Sequence, residues 1–297
     1  VGSNLLDHFA NSSKYKVVAL VNNKFSRGKY NNIIFIEIEN LINFNFQQLA
    51  NYNIDFIIHL AGKAHSKYSR NDYYESNYLL TKKIYDFAQD NKIKKFIFFS
   101  TIKVNGENSI SNQPFRYDDM PNPEDQYSIS KFKCEKYLLK KKNSFTKVFI
   151  LRPPIIIGHS FKGNLNTFLK IIKLNIPLPI KKINNRRSFI TIENISSILL
   201  KIFENNNING GIFLINEGYA ITTTKLLEKI AYFSKNKLIT FYINKYLINF
   251  LFTLCFQKKT YKKLFLSQEM DIKHTIETLN WIPKDNIDAT LKNIFHE

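Results

Sequence analysis

The sequence predicts an α/β protein: a doubly wound parallel sheet with a second, smaller α/β domain. Three observations carry that prediction. Near-continuous apolar runs of strand length recur through the first half of the chain, helical segments separate the later ones, and the polar clusters fall at the carboxyl ends of the runs. Apolar strands alternating with helices are what a parallel sheet covered on both faces requires, and such sheets bind ligands at the carboxyl ends of their strands.

Taken in order, "VGSNLLDHF" reads as a glycine entering an amphipathic helix, with Leu5, Leu6 and Phe9 on its apolar face. "YKVVALV" (15–21), "IIFIEI" (33–38), "DFIIHLA" (55–61), "KKFIFFS" (94–100) and "KVFILR" (147–152) read as buried strands, with helices near Asp72–Gln89 and Gln126–Lys141. The clusters "HLAGKAH", "STIKVNGE" and "RPPIIIGHSFKGN" sit at strand ends. After about residue 160 the pattern loosens. "NTFLKIIKLNIPLPI" suggests a helix ended by prolines, and "RRSFITIENISSILLKIF" a strand end capped by Thr191 or Glu193 before a helix. "GGIFLINEG" reads as one more buried strand, "YAITTTKLLEKIAYF" as a turn and a threonine-capped helix, and "EMDIKHTIETLNWIP" as a helix stopped at Trp281–Pro283. The expected organisation is a nucleotide-binding domain from 1–160 and 188–216, with a substrate domain from 161–187 and 217–297.

Composition narrows the function classes. The chain has 297 residues, 44% apolar, enough for one large or two modest cores. Its two cysteines, Cys134 and Cys255, are far apart and lack metal-ligand spacing, which fits a reducing cytoplasm better than a disulfide framework or a zinc site. His59, His65 and His159 are isolated and imply no metal. The net charge of +19 raises the question of nucleic acid, but the lysines are scattered and no nucleic-acid motif accompanies them. A positive field serves an anionic substrate or cofactor equally well. The longest apolar run, Tyr246–Phe256, is too short to span a bilayer, which takes about 20 residues. Followed by "QKKTYKK", it reads either as a core-facing helix or as a segment lying on an acidic membrane surface.

One stretch points to chemistry. In "EDQYSISKFKCEKYLLKK" (124–141), Tyr127 and Lys131 share a helix face that Cys134 and Leu138 continue. A phenol is a poor base at neutral pH, with a pKa of about 10, and a neighbouring ammonium favours its ionised form. Tyr127 is thus the candidate proton-transfer group and Lys131 its stabiliser. The alternative is an ordinary i,i+4 pair on a lysine-rich helix.

The chain resembles the extended short-chain dehydrogenase/reductases, the NAD(P)-dependent sugar-nucleotide epimerase and dehydratase group, over nearly its whole length. The resemblance is carried by "HLAG" (59–62), "NYLLTKKI" (77–84), "STIKVNG" (100–106), "YSISK" (127–131), "LRPP…G" (151–158), "RRSFITIENI" (186–195) and "LNWIP" (279–283). It implies a Rossmann-like fold binding NAD or NADP. "IKVNGE", "RPP", "KGN" and "NRRS" look closest to bacterial members acting on UDP-N-acetylhexosamines or their 4-keto, 6-deoxy derivatives in surface-polysaccharide synthesis.

Carried over residue by residue, the resemblance makes Thr101, Tyr127 and Lys131 catalytic. Thr101 bonds the reacting oxygen, and a one-residue slip would give that role to Ser100, which otherwise lines the cofactor. Lys131 also holds the nicotinamide ribose. Gly2, Glu37, Ile38, Leu60, Ala61 and Asn77 are implied to line the dinucleotide, and Asn164 and Arg187, or Arg186 in a shifted register, to hold the substrate diphosphate. Gly2 matches the third glycine of a G-x-x-G-x-x-G fingerprint, so a first strand and two glycines are expected upstream of Val1, with weak cofactor binding by the chain as it stands. Dehydratases of the family carry Asp-Glu after the Thr101 position; Ile102 and Lys103 cannot do that acid–base work, and Lys103 instead meets a substrate phosphate or solvent. The second strand of the family's fold normally ends in an acid for the ribose hydroxyl. Here "LVNNKFSR" offers Val21 and Asn22, with Lys24 and Arg27 suited to a 2′-phosphate, which leaves NAD and NADP both open. The resemblance also implies a UDP-sugar partner and a possible homodimer. The reaction is then 4-epimerisation or 4-keto reduction, with a non-catalytic cofactor-binding module as the contrasting reading.

Overall fold

The computed structural model describes all residues except 11, 23–29, 65–67, 111, 141–144, 159–163, 245–246, 248–257 and 297. Lys24, Arg27, His65, His159, Cys255 and most of the 246–256 apolar run therefore lie outside the described residues. The chain divides into two compact units: Val1–Val104, Pro121–Arg152 and Ile198–Phe213 form the first; Asn105–Met120, Pro153–Ser197 and Leu214–Glu297 form the second.

In the first unit α1 (Gly2–Phe9) buries Leu5 and Phe9, as its spacing predicts. Strands β1 (Val17–Val21) and β2 (Ile33–Glu37) pair in parallel, and β3 (Phe56–His59), β4 (Lys95–Phe99) and β5 (Lys147–Arg152) form a second parallel set closed by β8 (Gly210–Leu214). Every residue of β4 is buried, as its unbroken "KFIFF" requires of a central strand. Phe96, Phe98 and Ile150 meet Leu80, Ile84, Tyr85, Cys134 and Leu138 in one core, each side chain contributing about 1.5–3 kcal/mol by leaving water. The last five come from α3 (Leu80–Asp90) and α4 (Gln126–Leu139), the two helices the sequence places between strands. β8 begins with Gly210 at φ +84°, where a Cβ would lie 2.1 Å from the carbonyl oxygen of Val148, so only glycine lets it approach β5.

Lys95, inside β4, runs counter to its burial. Its ammonium donates to the carbonyls of Ile202 (2.7 Å), Phe203 (2.9 Å) and Asn205 (3.1 Å), at the carboxyl end of α6 (Ile192–Glu204). The helix dipole and the unpaired last-turn carbonyls make that a favourable place for a buried cation.

The second unit is also α/β. β6 (Ile155–Ile157) runs parallel to β7 (Arg187–Thr191), which pairs antiparallel with β9 (Ala220–Ile221). Ile157, Ile180 and Phe189 pack with Leu226, Leu227 and Ile230 of α7 (Thr223–Phe233), capped by Thr222 as its sequence predicts. Of the two caps considered for α6, the structure selects Thr191, whose hydroxyl accepts from Asn194 N–H at 3.4 Å. Glu193 instead accepts from Thr290.

Beside the sequence expectation, four segments, 105–120, 153–160, 188–197 and 214–216, fall in the second unit. Residues 105–120 join the second unit because they pair with the segment after residue 266: Ser109 N–H donates to Ser267, Phe115 N–H to Glu269 and Asp271 N–H back to Phe115. Residues 188–197 go with them because β7 is bonded to β6 and β9.

Candidate active site

Thr101, Tyr127 and Lys131 all belong to the first unit. Thr101 follows β4 and is buried; Ile102–Val104 then turn in a short 3-10 helix against which α4 packs. Asp125 fastens the start of α4. Its carboxylate accepts from Ser128 N–H at 2.7 Å in a reciprocal capping box and pairs with Lys103 Nζ at 2.8 Å. Burial opposes ionisation of Asp125, but the Lys103 bond and the Ser128 amide outweigh it and hold the carboxyl below its ordinary value. The ion pair ties the residue two beyond Thr101 to the residue two before Tyr127. The sequence reading left Lys103 to a phosphate or to solvent; within the fold it meets a carboxylate.

Lys131 is buried on the α4 face shared with Cys134 and Leu138. Its ammonium donates to Phe99 O at 2.8 Å and lies 4.5 Å from the centroid of the Phe98 ring. Burial pulls its pKa down. Tyr127 is half-buried, its ring 6.4 Å from that of Tyr73. Burial, then the Asp125 carboxylate, push its phenol well above the ordinary tyrosine value. The expected acidification by Lys131 is therefore not the dominant effect here: desolvation and a nearby carboxylate prevail.

Asn77 occupies the centre of a π-helical stretch, Tyr74–Leu79, between α2 (Arg70–Tyr73) and α3. Such widened turns leave carbonyls to find other partners. Thr81 Oγ1 donates to Asn77 O at 2.6 Å and meets His59 Nε2 at 2.9 Å. The Asn77 amide spans two elements: it accepts from Lys63 N–H at 2.8 Å and donates to Ser130 Oγ at 2.8 Å, and Ser130 in turn donates to Tyr127 O. Gly62, at φ +149°, closes the same corner; a Cβ there would stand 2.8 Å from Asn77 Oδ1 and 3.6 Å from Lys131 Nζ. The loop after β3 thus presents bare backbone beside an ammonium and an amide.

The other expected cofactor residues have these positions. Leu60 and Ala61 follow β3, and a Cβ on Gly2 would touch Leu60 Cδ1 at 3.7 Å. Glu37 is exposed at the end of β2, and Ile38 behind it is buried, its N–H donating to Val21 O. The Ser100 hydroxyl is engaged within the first unit. That hydroxyl donates to Glu135, whose carboxylate holds Arg152 through Nη2 at 2.6 Å and Nε at 3.0 Å, all deeply buried. Sequence reading missed this knot, although Glu135, four residues after Lys131, is a charge on the same inward face. Asp125 was legible too, as a D-x-x-S cap before a helix.

In the second unit Arg187 is buried, donating to Leu266 O at 3.1 Å and Gln268 Oε1 at 3.2 Å, with its pKa pulled down to about 10 by burial. Arg186 is the exposed partner, forked onto Glu269. Asn164 opens α5 (Asn164–Lys173); its side chain lies outside the described residues.

Known proteins share this plan. A "UDP-glucose 4-epimerase" of Vibrio cholerae is 28% identical across 98% of this chain and 90% of that protein. The fold matches the UDP-glucuronic acid 4-epimerase of Bacillus cereus solved with NAD, at TM-score 0.78 and 18% identity over 100% of this chain and 94% of that one. It also matches the UDP-N-acetylglucosamine 4-epimerase of Methanobrevibacter ruminantium M1 solved with UDP-N-acetylmuramic acid, at TM-score 0.77 and 21% identity over 99% and 93%. Residues 1–215, which carry the parallel strands, the Thr101 turn and the tyrosine helix, match the family described as NAD dependent epimerase/dehydratase, and the chain belongs to that family.

Proposed function

We propose that the protein moves hydride at C4 of a UDP-hexosamine, interconverting the two 4-epimers through a 4-keto intermediate. One observation carries the reading: a phenol and a buried ammonium on one face of α4, a helix fastened by Asp125–Lys103 beside Thr101 at the carboxyl end of a parallel strand. The relatives act on UDP-sugars by their names, and a preference for hexosamines rests on the likeness of "KGN" and "NRRS" to such members.

The chain's residues fit a nicotinamide dinucleotide. Gly62 offers backbone where a side chain would collide, and Lys131 has protons beyond the one given to Phe99 O, suited to ribose hydroxyls. Gly2, Glu37, Ile38, Leu60, Ala61 and Asn77 would line the remainder, with the Ser100 backbone. The bound nicotinamide supplies acceptance and return of hydride. Tyr127 takes the proton from the C4 hydroxyl and, once the 4-ketone has turned its other face to the hydride, returns a proton to that oxygen, which the Thr101 hydroxyl also bonds. The raised phenol suits proton donation to the ketone; proton removal needs positive charge nearby, which Lys131 contributes from the same face. Arg187, with Asn164, holds the diphosphate, where a planar fork bonds two oxygens at once.

A 4-keto reductase uses the same groups, and the lack of an acid at Val21–Asn22 favours that second reading through NADPH. Incubation with UDP-hexosamines and NAD, resolving 4-epimers while following the absorbance of reduced cofactor, separates the two. Epimer exchange without net reduced cofactor supports the first reading. Stoichiometric consumption of NADPH on a 4-keto sugar moves the assignment to the reductase, and cofactor binding without turnover to a non-catalytic module.

A further inference from the structure

The second unit carries a surface that the proposed reaction does not use. From Lys136 to Ile192, and again from Lys229 to Gln268, the chain contains no aspartate or glutamate. The fold brings parts of these two acid-free stretches together: Leu178 N–H donates to Ile239 O at 2.9 Å, Phe241 N–H to Leu178 O at 3.0 Å and Lys181 N–H to Phe241 O at 3.2 Å. The inward residues of this junction, Ile172, Leu178 and Ile180, are buried in the unit's core. The outward ones are not. Leu174 is 70% exposed, Tyr242 59%, Ile176 45% and Phe241 40%.

Single exposed apolar residues are ordinary, but these four stand at the meeting of two short segments. Lys173, Lys181 and Lys182 are exposed among them, with Lys182 Nζ 5.5 Å from the centroid of the Tyr242 ring. Aliphatic and aromatic side chains interleaved with cations, drawn from two stretches of sequence that hold no carboxylate, match an interface that is apolar beneath and anionic on top.

We propose that this face docks on an anionic lipid surface. Leu174, Ile176, Phe241 and Tyr242 enter the headgroup boundary while Lys173, Lys181 and Lys182 meet lipid phosphates. A second copy of the chain fits less well, because two such faces would oppose lysine to lysine. Nucleic acid would use the cations and stack on the two aromatics, but it gives Leu174 and Ile176 nothing to bury.

Flotation of the full chain with neutral phosphatidylcholine vesicles and with vesicles enriched in phosphatidylglycerol tests the assignment. The expected result is binding to the anionic vesicles alone, falling as salt rises. The Lys181→Gln/Lys182→Gln variant should weaken binding about fivefold for each lysine neutralised, and Leu174→Ser/Ile176→Ser should weaken it at low and high salt alike. All these residues are exposed and outside the proposed catalytic groups, so turnover of a soluble nucleotide sugar serves as the folding control and should hold. The proposal is overturned by equal binding to neutral vesicles, by no binding to anionic ones, or by retention of binding in both variants. It is overturned equally if duplex DNA displaces the vesicles, or if Leu174→Ser/Ile176→Ser turns a sedimenting dimer into a monomer.

Discussion

Lys131 and Tyr127 show how far a pair of residues can be read and where the reading stops. Their types and four-residue spacing identify the pair in the sequence. The direction of the phenol's pKa could not be read there, because burial and the Asp125 carboxylate decide it and both depend on packing. In the proposed mechanism Tyr127→Phe removes the proton carrier, and it should lower turnover about a hundred- to ten-thousandfold in the epimer assay, with the melting temperature little changed; full turnover would remove Tyr127 from the mechanism. His59 allows a cleaner pH prediction. Burial, and then the Lys131 charge, lower its pKa to about 3. Unfolded histidine titrates near about 6.5, so between the two values the unfolded chain holds a proton that the folded chain refuses. Stability should therefore fall as pH drops below about 6.5, at about 1.4 kcal/mol per pH unit. Carboxylates that stay ionised in the fold, such as Asp72 with its pKa near 2, add to the fall only at lower pH. Melting curves between about pH 5 and 6.5 should show the slope in the unaltered chain and lose it in His59→Gln.

At the level of elements, long apolar strands and proline-free helices were legible because burial on both faces writes itself into composition. The two-residue β9, the three-residue β6 and the π-helical stretch around Asn77 were not. Elements so short show no period, and one widened turn differs from an α-helix only in its hydrogen bonding. Helix α4 is the element on which the site depends. It is capped by Asp125 at one end and, ten residues on, clamped by Glu135 to Arg152 of β5 and Ser100 beyond β4. Removing one member of a buried ion pair strands the other charge, so Glu135→Ala should cost about 3–5 kcal/mol in chemical denaturation. The double replacement Glu135→Leu/Arg152→Met should recover most of that loss, because no charge is then left unpaired. A double variant no more stable than the single would show that the pair does more than neutralise itself.

For the whole molecule, charge speaks first. A net +19 creates a field that attracts a diphosphate before any contact forms. Added salt that shrinks the Debye length from about 10 Å to about 3 Å should lower kcat/KM for a nucleotide sugar severalfold and leave kcat nearly constant. An unchanged kcat/KM would mean that the cations do not act at a distance. The chain's path has a further consequence. It passes between the two units five times, at residues 104–105, 120–121, 152–153, 197–198 and 213–214. Each unit is stitched from three separate lengths of backbone. A gene cut at any one codon therefore yields no fragment holding a whole unit and nothing else, and neither half can be produced as one uninterrupted stretch of the natural sequence.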